Sequence, residues 1–82
     1  MHIVVLQRGF VVVGDMKKEG TTVFVENCAV IRRWGTTQGL GEIAMNGPTS
    51  ETILDRCPTI HCHELAVVMA MEVTSPRDRW NL

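Results

Sequence analysis

Short runs rich in Val, Ile, Thr and Phe recur along the chain, and Gly, Asn, Pro and charged pairs separate them. β-branched and aromatic residues favour strands, and the separating residues favour tight turns. The pattern therefore predicts a mainly β protein. The predicted strands are residues 2–7, 10–16, 21–26, 29–34 and 52–57, followed over residues 60–73 by one long strand or by two that bend near His63 and Glu64.

The size of the chain limits how these strands can be arranged. Its 82 residues leave room for one domain, predicted over residues 1–74, with a polar C-terminal tail over residues 75–82 from which Trp80 can dock back. Closure of a sheet removes exposed strand edges. We therefore expect a small curved sheet or β-barrel of about 5–6 strands, with a two-sheet sandwich as the alternative. A domain this small has a thin stability margin, which a homodimer would widen.

At most one short helical turn is expected. Three glycines between Gly35 and Gly41 predict a loop there, and residues 42–46 then suit a single turn of helix. The turn would end at Asn46-Gly47-Pro48, because glycine suits a helix end and proline cannot continue a helix.

The overall charge points to no particular class of partner. The formal net charge is −1 and the pI about 6.3, so no global field favours nucleic acid or an anionic membrane.

The longest apolar run, Leu65 to Met71, is too short to cross a bilayer, and no membrane partner is expected. The start of the chain lacks a basic segment and a small-residue cleavage site, which predicts a cytoplasmic setting. Three cysteines, an odd number, then favour free thiols.

The most unusual segment runs from Arg32 to Glu42. It combines two guanidiniums, an indole, two hydroxyls and a glycine-rich backbone, and Arg and Trp are the residue types that dominate protein interfaces. The sequence thus predicts a partner-binding loop, whose contact residues are Arg32, Arg33, Trp34, Thr36, Thr37 and Gln38.

Two other interpretations of this segment stay open. In the first, it is a wide structural turn in which Trp34 plugs one end of the barrel and the arginines lie in solvent or pair with Glu26 or Glu42. In the second, the arginines and the indole bind nucleic acid, by forking onto phosphate and stacking on bases. The glycine spacing matches neither a dinucleotide-binding fingerprint nor a P-loop.

A second candidate segment is Cys57-Pro58-Thr59-Ile60-His61-Cys62-His63. On an ideal strand Cys57, His61 and His63 share one face, and a thiolate with two imidazoles could fill three of the four positions around zinc. Pro58 interrupts the strand, however, and no paired Cys-x-x-Cys motif supplies further ligands. We therefore predict no metal and no cofactor, and keep a zinc-stapled structural module as an alternative.

No catalytic residues are predicted. In His61-Cys62-His63 the histidines flank a cysteine, but neighbours on a strand point to opposite faces, so neither imidazole addresses the thiol. The carboxylates are scattered, with no pair set by local spacing. The sequence therefore predicts a protein that is not an enzyme.

The stretch from Cys28 to Glu42, with Gly47-Pro48-Thr49 and Thr52–Asp55, resembles a family of small phage and prophage proteins that share an Arg-x-Trp-Gly-Thr-x-x-Gly-Leu-Gly motif. The family brings no established activity, and its members need not carry His61 and His63. The resemblance implies a bacterial host cytoplasm and a host or phage protein as partner. By analogy with other phage accessory proteins, the partner would be a host defence complex, such as a CRISPR complex. The leading hypothesis is thus a non-enzymatic, protein-binding module, and the alternative is a nucleic-acid-binding small β-barrel.

Overall fold

A computed structural model describes all 82 residues of the chain. It contains six strands, one α-helix and three short 3₁₀ turns, which confirms the predicted mainly β class. The strands are β1 (His2–Leu6), β2 (Val11–Glu19), β3 (Thr22–Arg33), β4 (Ile53–Cys57), β5 (Ile60–His63) and β6 (Val67–Glu72). The helix is α1 (Leu40–Asn46), and the 3₁₀ turns are Gln7–Gly9, Glu64–Ala66 and Arg77–Arg79.

The strands form one antiparallel sheet in the order β4-β3-β2-β1-β6, and β5 pairs with β3 beside β4. β5 pairs along Thr22–Val25 and β4 along Cys28–Arg33, so both lie on the same edge of the long strand β3. The turn Glu64–Ala66 then carries the chain to β6 on the far side of β1. Three residues can join strands on opposite sides only if the sheet curves strongly. The sheet is not closed, and the prediction of a small curved sheet is confirmed.

Several predicted boundaries differ from the structure, and β2 continues to Glu19, three residues beyond the predicted end at residue 16. The predicted strands 21–26 and 29–34 are one continuous strand, β3, although Asn27 within it has a positive φ of 47°. The irregularity is a β-bulge in β3, because Asn27 and Cys28 lie opposite the single residue Gly14 of β2. The predicted helix begins two residues earlier, at Leu40, and ends at Asn46 as predicted, where the Gly47 N–H donates to the Ile43 carbonyl over 2.8 Å.

The core lies on both faces of the sheet. Ile3 and Val4 are neighbours on β1, so their side chains point to opposite faces, and both are fully buried. On one face α1 and Trp80 cover a cluster that includes Ile3, Val13, Ala29 and Ile43. On the other face the curved sheet folds around a smaller cluster of Val4, Val12, Val25 and Cys28. The central strands are therefore covered on two sides.

The segment predicted as a polar tail lies against the domain. Trp80 is only 2% exposed, and its Nε1–H donates to the Ser75 hydroxyl over 2.9 Å. The Ser75 hydroxyl and the Thr74 N–H both donate to the Ala44 carbonyl, which is among the last carbonyls of α1 and has no partner within the helix. The C-terminal segment thus supplies the hydrogen-bond donors for a carbonyl at the end of α1.

No helix combines the length and the apolar character that crossing a bilayer requires.

Candidate functional site

The predicted binding segment begins at a sharp corner after β3. Gly35 has a φ of 64°, and a Cβ there would lie 2.6 Å from the Glu51 carbonyl oxygen, so no larger residue fits. The Thr49 hydroxyl donates to the Gly35 carbonyl and the Thr52 hydroxyl to the Trp34 carbonyl, each over 2.7 Å. We call residues 34–39 the corner loop. Its first two residues are fixed by the segment that precedes β4.

Glu42 fixes the other half of the corner loop. Its Oε1 accepts hydrogen bonds from the backbone N–H groups of Thr37 and Gln38, over 3.3 and 3.1 Å, and from the Thr37 hydroxyl over 3.2 Å. The Thr36 hydroxyl accepts from the Gly39 N–H over 3.0 Å. The hydroxyls of Thr36 and Thr37, which the sequence assigned to partner contact, therefore also hold the loop in shape.

The two arginines of the segment pair with carboxylates other than those considered from the sequence. Arg32 binds Asp55 through two nitrogens, with Nε to Oδ2 at 2.7 Å and Nη2 to Oδ1 at 3.3 Å. Arg33 lies 3.7 Å from Glu51. The hydrogen bond that Arg32 donates to Asp55 raises the pKa of its guanidinium. Neither Glu26 nor Glu42 takes part, because Glu26 lies further back on β3, where it pairs with Lys17, and the Glu42 carboxylate accepts hydrogen bonds from the corner loop.

A β-bulge aims Arg32 at its partner. The register between β3 and β4 shifts at this residue, since Ile31 pairs with Leu54 and Arg33 with Ile53. Bulges re-aim side chains, and they are common beside functional sites. The result is a corner loop flanked by two ion pairs rather than by two free cations.

Trp34 is the large apolar side chain of the corner loop, and it is 43% exposed. It does not plug the end of the sheet, because Trp80 and α1 cover that cluster. Gln38 is exposed as well, and its side-chain amide has no hydrogen-bond partner within the chain. The exposed residues of the segment are thus Trp34, Thr37, Gln38 and the paired arginines.

The structure separates the three metal-ligand candidates. His61 and His63 share the exposed face of β5, whereas Cys57 lies beyond the break at Pro58-Thr59 and faces β3. The His61 ring packs edge-on against Phe24, with centroids 4.8 Å apart, and His63 Nδ1 accepts the Leu65 N–H over 3.1 Å. No three His, Cys, Asp or Glu side chains are placed to hold one metal ion. Because the chain breaks between β4 and β5 at Pro58, the three side chains do not share the face that one ideal strand would give them.

Two side-chain pairs that local sequence patterns did not reveal depend on strand register. Cys28 and Cys57 are directly opposite each other on β3 and β4, with their sulfurs 3.5 Å apart. Burial raises the pKa of the Cys28 thiol to about 11. Asp15 on β2 accepts two hydrogen bonds from Arg77, over 2.7 and 2.8 Å. The partners are separated by 29 and 62 positions, so no local motif could have joined them.

The surface carries one shallow cavity of about 350 Å³ beside β4. Leu54, Arg56, Arg79 and the edge of Trp80 line it, and no His, Cys, Asp or Glu contributes to it.

The chain matches no family model, no curated protein and no solved structure. The likeness of the Cys28–Glu42 stretch to small phage proteins thus remains a resemblance of motif.

Proposed function

We propose that the protein is a non-enzymatic interaction module that binds another protein through the corner loop and the two arginines before it. The observation that carries the proposal is Trp34, which is 43% exposed on a backbone held by Thr49 and Thr52. A large aromatic side chain on a fixed backbone loses little conformational entropy when it is buried by a partner. Such residues are frequent hot spots of interfaces.

The charges around Trp34 favour a protein partner over nucleic acid. Arg32 and Arg33 are each neutralised by a carboxylate, so the segment has little excess positive charge to attract phosphates. Mixed charges around an apolar centre are typical of the rim of a protein interface.

The resemblance to phage and prophage proteins supports the class of partner. We therefore place the protein in a bacterial host, where it would bind a host or phage protein and, most specifically, would inhibit a host defence complex. The nucleic-acid-binding alternative predicts retention of short single strands at low salt.

The direct test is capture of partners with immobilised protein from a lysate of the bacterium that carries the gene. The wild type is compared with Trp34→Ala and with Phe10→Ala, which removes another exposed aromatic side chain, 60% exposed, at a different place on the surface. We expect one partner to be retained by the wild type and by Phe10→Ala, and its affinity for Trp34→Ala to fall by about tenfold or more. Equal affinity for all three proteins would refute the proposal, and binding of single-stranded oligonucleotides would favour the alternative.

A further inference from the structure

The cysteine pair between β3 and β4 stands apart from the proposed interface. Cys28 and Cys57 are register partners in adjacent antiparallel strands. Directly opposed residues in such strands have Cα atoms about 4.5–5.5 Å apart. That spacing lies within the roughly 4.4–6.8 Å range of Cα separations found in disulfides. The backbone therefore already stands where a Cys28–Cys57 bond requires it.

The side chains face each other as well. Their sulfurs are 3.5 Å apart, and a bond needs about 2.05 Å, so a small rotation of each side chain closes the gap. Irregular backbone next to both residues can absorb the adjustment. Asn27, before Cys28, has a positive φ, and Pro58, after Cys57, ends β4. The third cysteine, Cys62, lies on β5 opposite Val23 and is not part of the pair.

We propose that Cys28 and Cys57 form an oxidation site, at which a low-molecular-weight disulfide such as glutathione disulfide converts the two thiols into an intramolecular disulfide. The reduced dithiol is the form expected in a reducing cytoplasm, and the disulfide forms when the thiol–disulfide balance becomes more oxidising.

The reaction has two balanced steps, and exposure sets their order. Cys28 is 2% exposed whereas Cys57 is half-buried, so the Cys57 thiolate is the one that meets the reagent. It attacks one sulfur of glutathione disulfide, forms a mixed disulfide and releases one glutathione thiolate. The Cys28 thiol loses its proton and attacks the Cys57 sulfur, which releases the second glutathione. Overall, two protein thiols are oxidised and one glutathione disulfide is reduced to two glutathione molecules.

The burial of Cys28 slows the second step. Burial disfavours the Cys28 thiolate, which is the attacking species, so few molecules carry it at neutral pH. A glutathione adduct on Cys57 should therefore appear first and then decay as the intramolecular bond forms.

The new bond would enclose the proposed interface. The covalent ring formed by residues 28–57 contains the corner loop, α1 and all of β4. Ring closure restricts the unfolded chain, so the oxidised protein should melt at a higher temperature than the reduced one. This consequence holds whether or not the corner loop binds a partner.

The experiment incubates dilute protein in glutathione buffers of increasing oxidised fraction and follows the intact mass and the thiol count. We expect a transient glutathione adduct, and then a product about 2 Da lighter than the reduced protein in which one of the three thiols remains free. Digestion of that product should yield a peptide pair in which Cys28 is joined to Cys57. Cys62→Ser should form the same bond. Cys57→Ser should form no intramolecular bond, because Cys62 lies opposite Val23 and not beside Cys28, and Cys28→Ala should stop at the glutathione adduct.

Three results would overturn the proposal: three thiols that persist in fully oxidised buffer, a Cys57 adduct in the wild type that never resolves, or a bond that joins two chains. Circular dichroism of each variant shows whether it is folded. If the variants of Cys28 or Cys57 fail to fold, the Cys62→Ser protein still tests the proposal, because it leaves the pair intact.

Discussion

At the scale of single residues, Gly14 shows how tightly β2 and β3 are packed. A Cβ at this position would lie 2.6 Å from the Cys28 Cβ and 2.8 Å from the Glu26 carbonyl oxygen. These are closer than non-bonded atoms approach, and one neighbour is backbone that cannot swing aside. The Cys28 side chain can lie over β2 only because residue 14 has no side chain.

Gly14→Ala should therefore destabilise the protein by about 1–3 kcal/mol through overpacking. Gly41→Ala is the matched control, because that glycine is in α1 and a Cβ there meets nothing within 4 Å. The control should be neutral or stabilising by up to about 1 kcal/mol, since alanine favours helix. Urea unfolding of the three proteins measures both changes, and an unchanged midpoint for Gly14→Ala would contradict the packing argument.

Asp15 makes the stability depend on pH. The hydrogen bonds from Arg77 lower the pKa of the Asp15 carboxyl to about 2, below its unfolded value of 3.8. A carboxyl with a lowered pKa contributes stability above its unfolded value, and that contribution is lost as the pH falls from about 4 to about 2. Because both side chains are more than a third exposed, water screens the pair, and we expect about 1 kcal/mol.

The check is Asp15→Asn against the wild type. The variant should be less stable at about pH 6, and the difference should shrink as the pH falls below about 4 and be small near pH 2, where about half of the wild-type carboxyl is protonated. Asp78→Asn, in the same 3₁₀ turn as Arg77 but without an ion-pair partner, should match the wild type throughout. A stability difference at Asp15 that is the same at both pH values would show that the ion pair is not its source.

At the scale of elements, the C-terminal segment belongs to the core although its composition is typical of a solvent-exposed tail. Residues 75–82 are mostly polar, yet they carry Trp80 into the core beside Ile43 and Ala44. Trp80→Ala should cost about 3–5 kcal/mol, the usual range for a buried Trp or Phe, whereas Trp34→Ala, at an exposed site, should cost less than about 1 kcal/mol. Denaturant unfolding compares the two, and similar losses would mean that one of the two side chains is placed differently.

The sequence could predict most strands because they depend on local composition, but not the pairs that depend on register. Runs such as Val11-Val12-Val13 favour a strand, whichever other strand they pair with. By contrast, the choice of Asp55 over Glu26 for Arg32, and of Cys28 for Cys57, follows from which strands are neighbours. The helix end at Gly47 was predictable, because one glycine carries that signal.

At the scale of the whole molecule, the first and last strands complete the sheet together. β1 lies between β2 and β6, so the pairing of Ile3 with Met71 brings the beginning of the domain against its end. Such distant contacts form only after a large loss of chain entropy.

We therefore expect slow folding for a chain of this length, with a single phase in the range of milliseconds to seconds. Stopped-flow fluorescence of the Trp34→Phe protein, in which Trp80 is the remaining indole, reports burial of the core directly. A folding phase completed within microseconds would show that local contacts, rather than the β1–β6 pairing, limit the rate.

The same pairing also determines how the protein resists force. His2 is opposite Glu72, and the Met1 carbonyl accepts the Val73 N–H over 3.0 Å. A force that pulls the two ends of the chain apart therefore acts first on this outermost hydrogen bond between β1 and β6. An unfolding motor would then unzip β1 from β6 one hydrogen bond at a time instead of shearing them together. Trp80 lies between the pulled end and that rung and must leave its site first. Mechanical strength at this end of the molecule therefore depends on one indole more than on the sheet.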